Sequence, residues 1–265
     1  MKEWIEALLR WVHVFAAILW VGQTYLFARL ERNLRPSGES GRESVWMVHG
    51  GGFFVLEKEG AASRLPPALL WFRWEAATTW LSGAAILTLT YYMGSLLVEP
   101  GRSHALGAAA GFAAILLAWL AYDRLARSPL AARPLALAAA ALAVFPVMHR
   151  ALLEVQTTRA AFYHVGAAMG TIMAANVWLR ILPSQRRRIA ALREGRPPEI
   201  ETVALGPERS LHNTYLAVPL VFLMVSNHFP VITYGNDRST LVLAALLGVG
   251  FVAARILRGG MTRGG

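Results

Sequence analysis

Apolar residues in this chain come in long blocks rather than in alternation, and polar or Pro/Gly-bearing segments separate the blocks. Seven blocks, near 4–28, 74–97, 104–122, 134–153, 160–182, 212–231 and 240–257, approach the length that crosses a bilayer as a helix. The pattern predicts an all-α, polytopic membrane helix bundle of about seven transmembrane helices, forming a single membrane domain over 1–265. Lipid cannot satisfy the polar groups of an open sheet edge, so helices are expected wherever the chain meets hydrocarbon. Two connections are long, at about 29–73 and 183–211. The first contains His49-Gly50-Gly51-Gly52, a tight turn or a close backbone approach. The second begins at Pro183, and Ser210 is the expected N-cap of the span that follows it. Pro146 is expected to kink the fourth span.

Composition agrees: 55% of the 265 residues are hydrophobic and 16% charged, which excludes a disordered or ordinary soluble chain. The net charge of +10 invites a nucleic-acid reading, but its placement argues against one. With seven spans, twenty of the 26 Lys and Arg residues, Arg64 and Arg263 among them, fall on one side and six on the other. That asymmetry predicts the N-terminus outside, the C-terminus in the cytoplasm, and no nucleic-acid partner. The run Arg186-Arg187-Arg188 reads as a solvated loop facing anionic lipid. There is no cysteine, which removes disulfides, thiolate metal sites and c-type haem attachment.

Ionisable groups inside the apolar blocks are costly and point to function. His13 follows Arg10-Trp11-Val12, and His164 follows Arg159 in the fifth block. His13 lies about 4.5 Å and His164 about 7.5 Å of helix rise inward from its arginine, so both are expected at similar depth. Two imidazoles on facing helices suit haem b, with Arg10 and Arg159 holding the propionates. Gly166, Ala167 and Gly170 leave room for a macrocycle, or form an ordinary helix-packing stripe. His149 and His228 are alternative ligands or supporting groups, and His104 reads as a helix cap at the interface. Toward the cytoplasm, His49, His212, Glu75 and Asn213 are candidates for a second haem or a substrate pocket.

The motifs taken together resemble a known family. Arg-Trp-x-His13, His49-Gly-Gly-Gly-Phe, Arg73-Trp-Glu75-Ala with Thr79-Trp-x-Ser82-Gly83, and His164-x-Gly-Ala-x-x-Gly170-Thr171 with Asn176 occur in order. So do Pro183-x-Gln185, Ser210-x-His212-Asn213-x-Tyr215 and Ser226-Asn227-His228-x-Pro230. The set is similar to the membrane domain of the bacterial urate hydroxylase family, also called the urate oxidase N-terminal domain. That resemblance implies oxidation of urate to 5-hydroxyisourate, with electrons leaving through a C-terminal cytochrome c domain. This sequence ends at Gly265 with no such segment, so a separate cytochrome c partner is expected.

The reading is therefore a haem b-binding redox protein of the bacterial inner membrane, multi-pass, carrying one haem or two. It exchanges electrons between a substrate or quinol and a cytochrome c or another respiratory subunit. Alternatives are a haem-dependent oxidase of urate or a porphyrinogen, a non-enzymatic haem or copper carrier, and a structural subunit of a membrane complex.

Overall fold

In the computed structural model, residues 1–37, 42–59 and 65–260 are described, with side chains at 132, 134–138, 141 and 260 excepted. Arg64, Arg263 and the chain end at Gly265 lie outside them.

Helices dominate: α1 Lys2–Asn33, α2 Trp74–Leu87, α3 His104–Leu125, α4 Pro134–Leu152, α5 Thr158–Ala175, α6 Leu182–Arg193, α7 Ile200–Val225 and α8 Ser239–Gly260. By length and apolarity, four stretches can cross a membrane: Lys2–Asn33, His104–Leu125, Thr158–Arg193 and Ser239–Gly259. Three expected spans take other forms. α2 is 14 residues long and widens into a π turn at Thr88–Tyr92. α4 contributes the shorter apolar run Leu142–Leu152, and α7 opens with a polar segment bearing Glu201, Glu208 and Arg209. Along α1, Trp4, Leu8, Trp11, Phe15 and Ile18 are exposed, a surface that lipid covers at no cost and water would not.

The expectation that the chain is entirely helical needs correction. The segment after α1 holds a three-stranded antiparallel sheet of β1 Arg35–Ser37, β2 Arg42–His49 and β3 Gly52–Lys58, in that order. The rule against sheet edges applies inside hydrocarbon, whereas water satisfies an edge at no comparable cost. Gly50 and Gly51 make the two-residue turn of the β2–β3 hairpin at φ of 58° and 80°, a region where glycine escapes the Cβ penalty.

The second long connection is corrected likewise. Pro183 does not end the fifth span, because a π turn at Asn176–Ile181 precedes it and α6 continues with the proline in its first turn. A proline lacks the N–H of the helical ladder, and a widened turn is one way to accommodate that loss. α7 begins at Ile200, so Ser210 is an interior residue whose carbonyl accepts from the Thr214 hydroxyl at 2.9 Å.

α5 is the centre of the bundle. About half of its apolar window (56%) is buried, against 6% for α1 and 22% for α3 and α8. It packs on α2, α3, α4 and α7, and Phe162, Val165, Ala168, Met169, Ile172 and Met173 lie in the main core. Gly166 and Gly170 are the packing stripe of this helix: added methyls would meet Met224 and Leu220 of α7. The space opposite them is filled by side chains, not left for a ring. α5 thus exposes polar side chains to protein neighbours at both ends, called here the entry end, where it begins, and the exit end.

Candidate functional site

At the entry end, Thr157 caps α5 by accepting from the Ala160 N–H at 3.0 Å, which fixes the first turn and the residues it carries. His164 is fully buried. Its Nδ1 is bonded to the Ala160 carbonyl at 2.8 Å, one turn back. A carbonyl only accepts, so Nδ1 carries the proton and Nε2 keeps its lone pair. That lone pair accepts from the Tyr92 hydroxyl at 3.0 Å. The ring presses on α3 where residue 111 is glycine, and a methyl there would collide with Nε2.

Around His164 lies an aromatic cluster that the sequence pattern did not announce. Tyr91 stands 6.2 Å from the imidazole and 5.8 Å from Tyr163, whose ring is 6.4 Å from Tyr234. Arg159 donates to Asn227 Oδ1 at 2.9 Å. The Tyr91 and Tyr163 hydroxyls and Arg159 Nε are buried without a hydrogen-bond partner. His149 borders the cluster through Phe162 at 5.8 Å. It is fully buried, with Nδ1 2.9 Å from the Thr240 hydroxyl and Nε2 unpartnered.

The structure therefore joins His164 and Arg159, and sets His149 at their edge. His13 lies elsewhere, in the α1–α2 seam. Its Nδ1 is 2.8 Å from the Thr79 carbonyl and 3.2 Å from the Ser82 hydroxyl, and its ring rests on Gly83. By the same argument its Nε2 is the acceptor nitrogen. No described contact joins the His13 and His164 rings. Arg10 is exposed and paired with Glu6 at 3.1 Å. His228 is exposed at the end of a short 3-10 turn after α7. His104 opens α3 behind its N-cap Ser103 and reaches the Tyr91 and Gly94 carbonyls at 3.3 and 3.2 Å.

At the exit end, Tyr122 and Asp123 of α3, Asn176 and Arg180 of the widened turn, and Arg209, His212 and Asn213 of α7 form a second cluster. Asn176 Nδ2 donates to the Tyr122 hydroxyl at 2.8 Å and to Asn213 Oδ1 at 2.9 Å. Asn213 Nδ2 donates to the Met173 carbonyl at 3.0 Å. The Tyr122 hydroxyl is also hydrogen-bonded to His212 Nδ1, at 2.8 Å. Arg180 holds Asp123 by Nε on Oδ1 at 2.8 Å and NH2 on Oδ2 at 2.5 Å, and Arg127 shares that carboxylate.

Of the four candidates expected toward the cytoplasm, His212 and Asn213 come together. His49 is exposed at the hairpin tip, paired with Gly52 in the strand register. Glu75 accepts from Gln23 of α1 at 3.1 Å, and its other oxygen is buried without a partner. Sequence reading passed over Tyr91, Tyr92, Tyr122, Asp123 and Arg209. Asp123 left a signal, as the sole carboxylate in α3.

The donor chemistry suits an imidazole-ligated group in part. His13 presents Nε2 as it stands, while His164 must first release the Tyr92 hydroxyl. A single neutral hydrogen bond is worth about 1 kcal/mol, a small sum beside a coordinate bond. Among the described residues, no group of three or more His, Cys, Asp or Glu side chains is placed to hold a metal ion. No curated protein and no solved structure matches the chain. The model of one family, described as urate oxidase N-terminal, matches residues 1–258, and the chain belongs to that family.

Proposed function

We propose that this chain is a haem b-binding redox protein of the bacterial inner membrane, crossing it seven times with its N-terminus outside. One observation supports the haem reading above the rest: His13 and His164 each anchor Nδ1 on a backbone carbonyl, leaving Nε2 as the acceptor. Ligating histidines are held in this way, with the second nitrogen fixing tautomer and ring angle. His13 and His164 are the proposed axial ligands, with His149 as the alternative to His164, since its Nε2 is already free of partners. Arg159 offers Nε to a propionate, and Arg10 is less suited because it lies exposed on Glu6.

When bound, the haem supplies one-electron chemistry. The residues around it hold the ring nitrogens in their tautomers, exclude water from the entry end, and place donors at its polar edge. Electrons pass between a substrate or quinol and a separate cytochrome c or other respiratory subunit. Family membership supports urate as the first substrate to try.

The test is a reduced-minus-oxidised spectrum with pyridine haemochrome on the detergent-purified chain, repeated for His13→Ala and His164→Ala. Loss of the b-type bands in both variants is the expected result, and normal spectra in both would sink the assignment. Addition of urate anaerobically then reports whether haem is reduced by it. Copper without iron on metal analysis would favour the carrier reading instead.

A further inference from the structure

We propose that the face of α7 carrying Arg209 and His212, closed by Tyr122 and the widened turn after α5, binds a carboxylate. Arg209 is completely buried, and its Nε, NH1 and NH2 carry no hydrogen bond. The neighbouring anion is Asp123, whose Oδ1 stands 3.5 Å from NH2. That carboxylate is already engaged by Arg180 on both oxygens and by Arg127 on Oδ2. Tyr122 offers its ring face 5.3 Å from the guanidinium, which attracts the charge. A guanidinium has five donors, and leaving them unmade in a buried site is costly. Asp123 meets NH2 at ion-pair distance, while Nε and NH1 are left without an acceptor.

Further observations shape the ligand. Residues 209, 212 and 213 stand at i, i+3 and i+4, on one face of α7. His212 pairs its Nδ1 with the Tyr122 hydroxyl, which fixes the ring and makes Nε2 the nitrogen a ligand would meet. Asn176 and Asn213 spend their amides on each other, on Tyr122 and on the Met173 carbonyl, and so fix the wall. The π turn at Asn176–Ile181 lies at this point, and such widened turns concentrate at functional sites. Glu208 follows the same helix turn with a buried, unpartnered Oε1. With Asp123 also present, two carboxylates oppose a dianion, which favours a singly charged carboxylate over a phosphate.

The carboxylate is that of a small soluble acid, and the proposal does not rest on the haem reading above, whose haem stands at the entry end with a propionate on Arg159. The experiment uses the full chain in detergent and compares benzoate with neutral benzamide by thermal unfolding. Wild type is expected to prefer the acid by about tenfold or more. Arg209→Gln is expected to abolish that preference, and Arg209→Lys, which keeps charge but loses the planar fork, to retain part of it.

No preference for benzoate overturns the proposal, as does a preference undiminished in Arg209→Gln. Should both variants misfold, the wild-type comparison still decides, since equal responses to benzoate and benzamide overturn it.

Discussion

The Tyr92 hydroxyl lies 3.0 Å from Nε2 of His164, closing the ring nitrogen that metal chemistry would use. The other nitrogen is closed by the Ala160 carbonyl at 2.8 Å, so this buried imidazole is fully satisfied within the chain. Satisfaction of this kind is what makes a buried polar side chain tolerable, and it defines what a ligand must displace.

Tyr92→Phe removes that donor while leaving the ring in place. Leaving His164 Nε2 buried and unbonded should cost about 1–3 kcal/mol of apo-protein stability. On the haem reading the same variant should retain its haem and narrow the stability gap once loaded. Thermal unfolding of apo and loaded protein in detergent checks both. Equal destabilisation in the two forms would mean that Tyr92 and His164 stay bonded throughout.

Gly111 and Gly83 are fitted to the two histidines. A methyl at 111 would collide with the His164 ring, and one at 83 would lie 2.9 Å from Cε1 of His13. Gly111→Ala and Gly83→Ala should each lose about 1–3 kcal/mol, the usual range for overpacking. Gly22 of α1 has open space around its Cβ position, so Gly22→Ala should be neutral by the same assay.

His212→Ala should keep the full haem content of the wild type. His212 pairs its Nδ1 with the Tyr122 hydroxyl rather than with a backbone carbonyl of the kind that anchors His13 and His164. Pyridine haemochrome stoichiometry per chain is the measurement. A fall to half would restore a second haem at the exit end.

Asp123→Asn strips the charge that Arg180, Arg127 and Arg209 share. Breaking a buried pair by removing one partner costs about 3–5 kcal/mol. Because Arg127 is half exposed, the loss should fall toward the lower end of that range. Denaturant or thermal midpoints in one detergent, for Asp123→Asn beside wild type, give the comparison.

The absence of cysteine makes orientation easy to read. Val48→Cys in the hairpin and Glu99→Cys between α2 and α3 both sit at exposed positions. Glu99→Cys should react with an impermeant maleimide in intact cells, and Val48→Cys only after permeabilisation. The reverse pattern would invert the proposed topology.

The block pattern of apolar residues determined that this protein is a helix bundle of membrane character, because lipid leaves the backbone few other ways to pair itself. His13, His164 and Arg159 were also visible in the sequence, since an ionisable group in an apolar block stands out against its neighbours. The hairpin at 42–58 was less legible: its glycine turn was noticed, but strands of eight and seven residues have no long apolar run to announce them. Pro183 misled in the same way, since a proline usually ends a helix and only the π turn before it lets this one continue.

What the tertiary structure alone decided is the rotation of each helix about its axis. Periodicity places a residue within a block but not toward a partner. That rotation put His13 against Gly83 and His164 against Gly111, turned Gly166 and Gly170 onto α7, and buried Arg209 beside Asp123 and Tyr122. Each of these depends on side chains distant in the chain meeting at one depth, which no local pattern records.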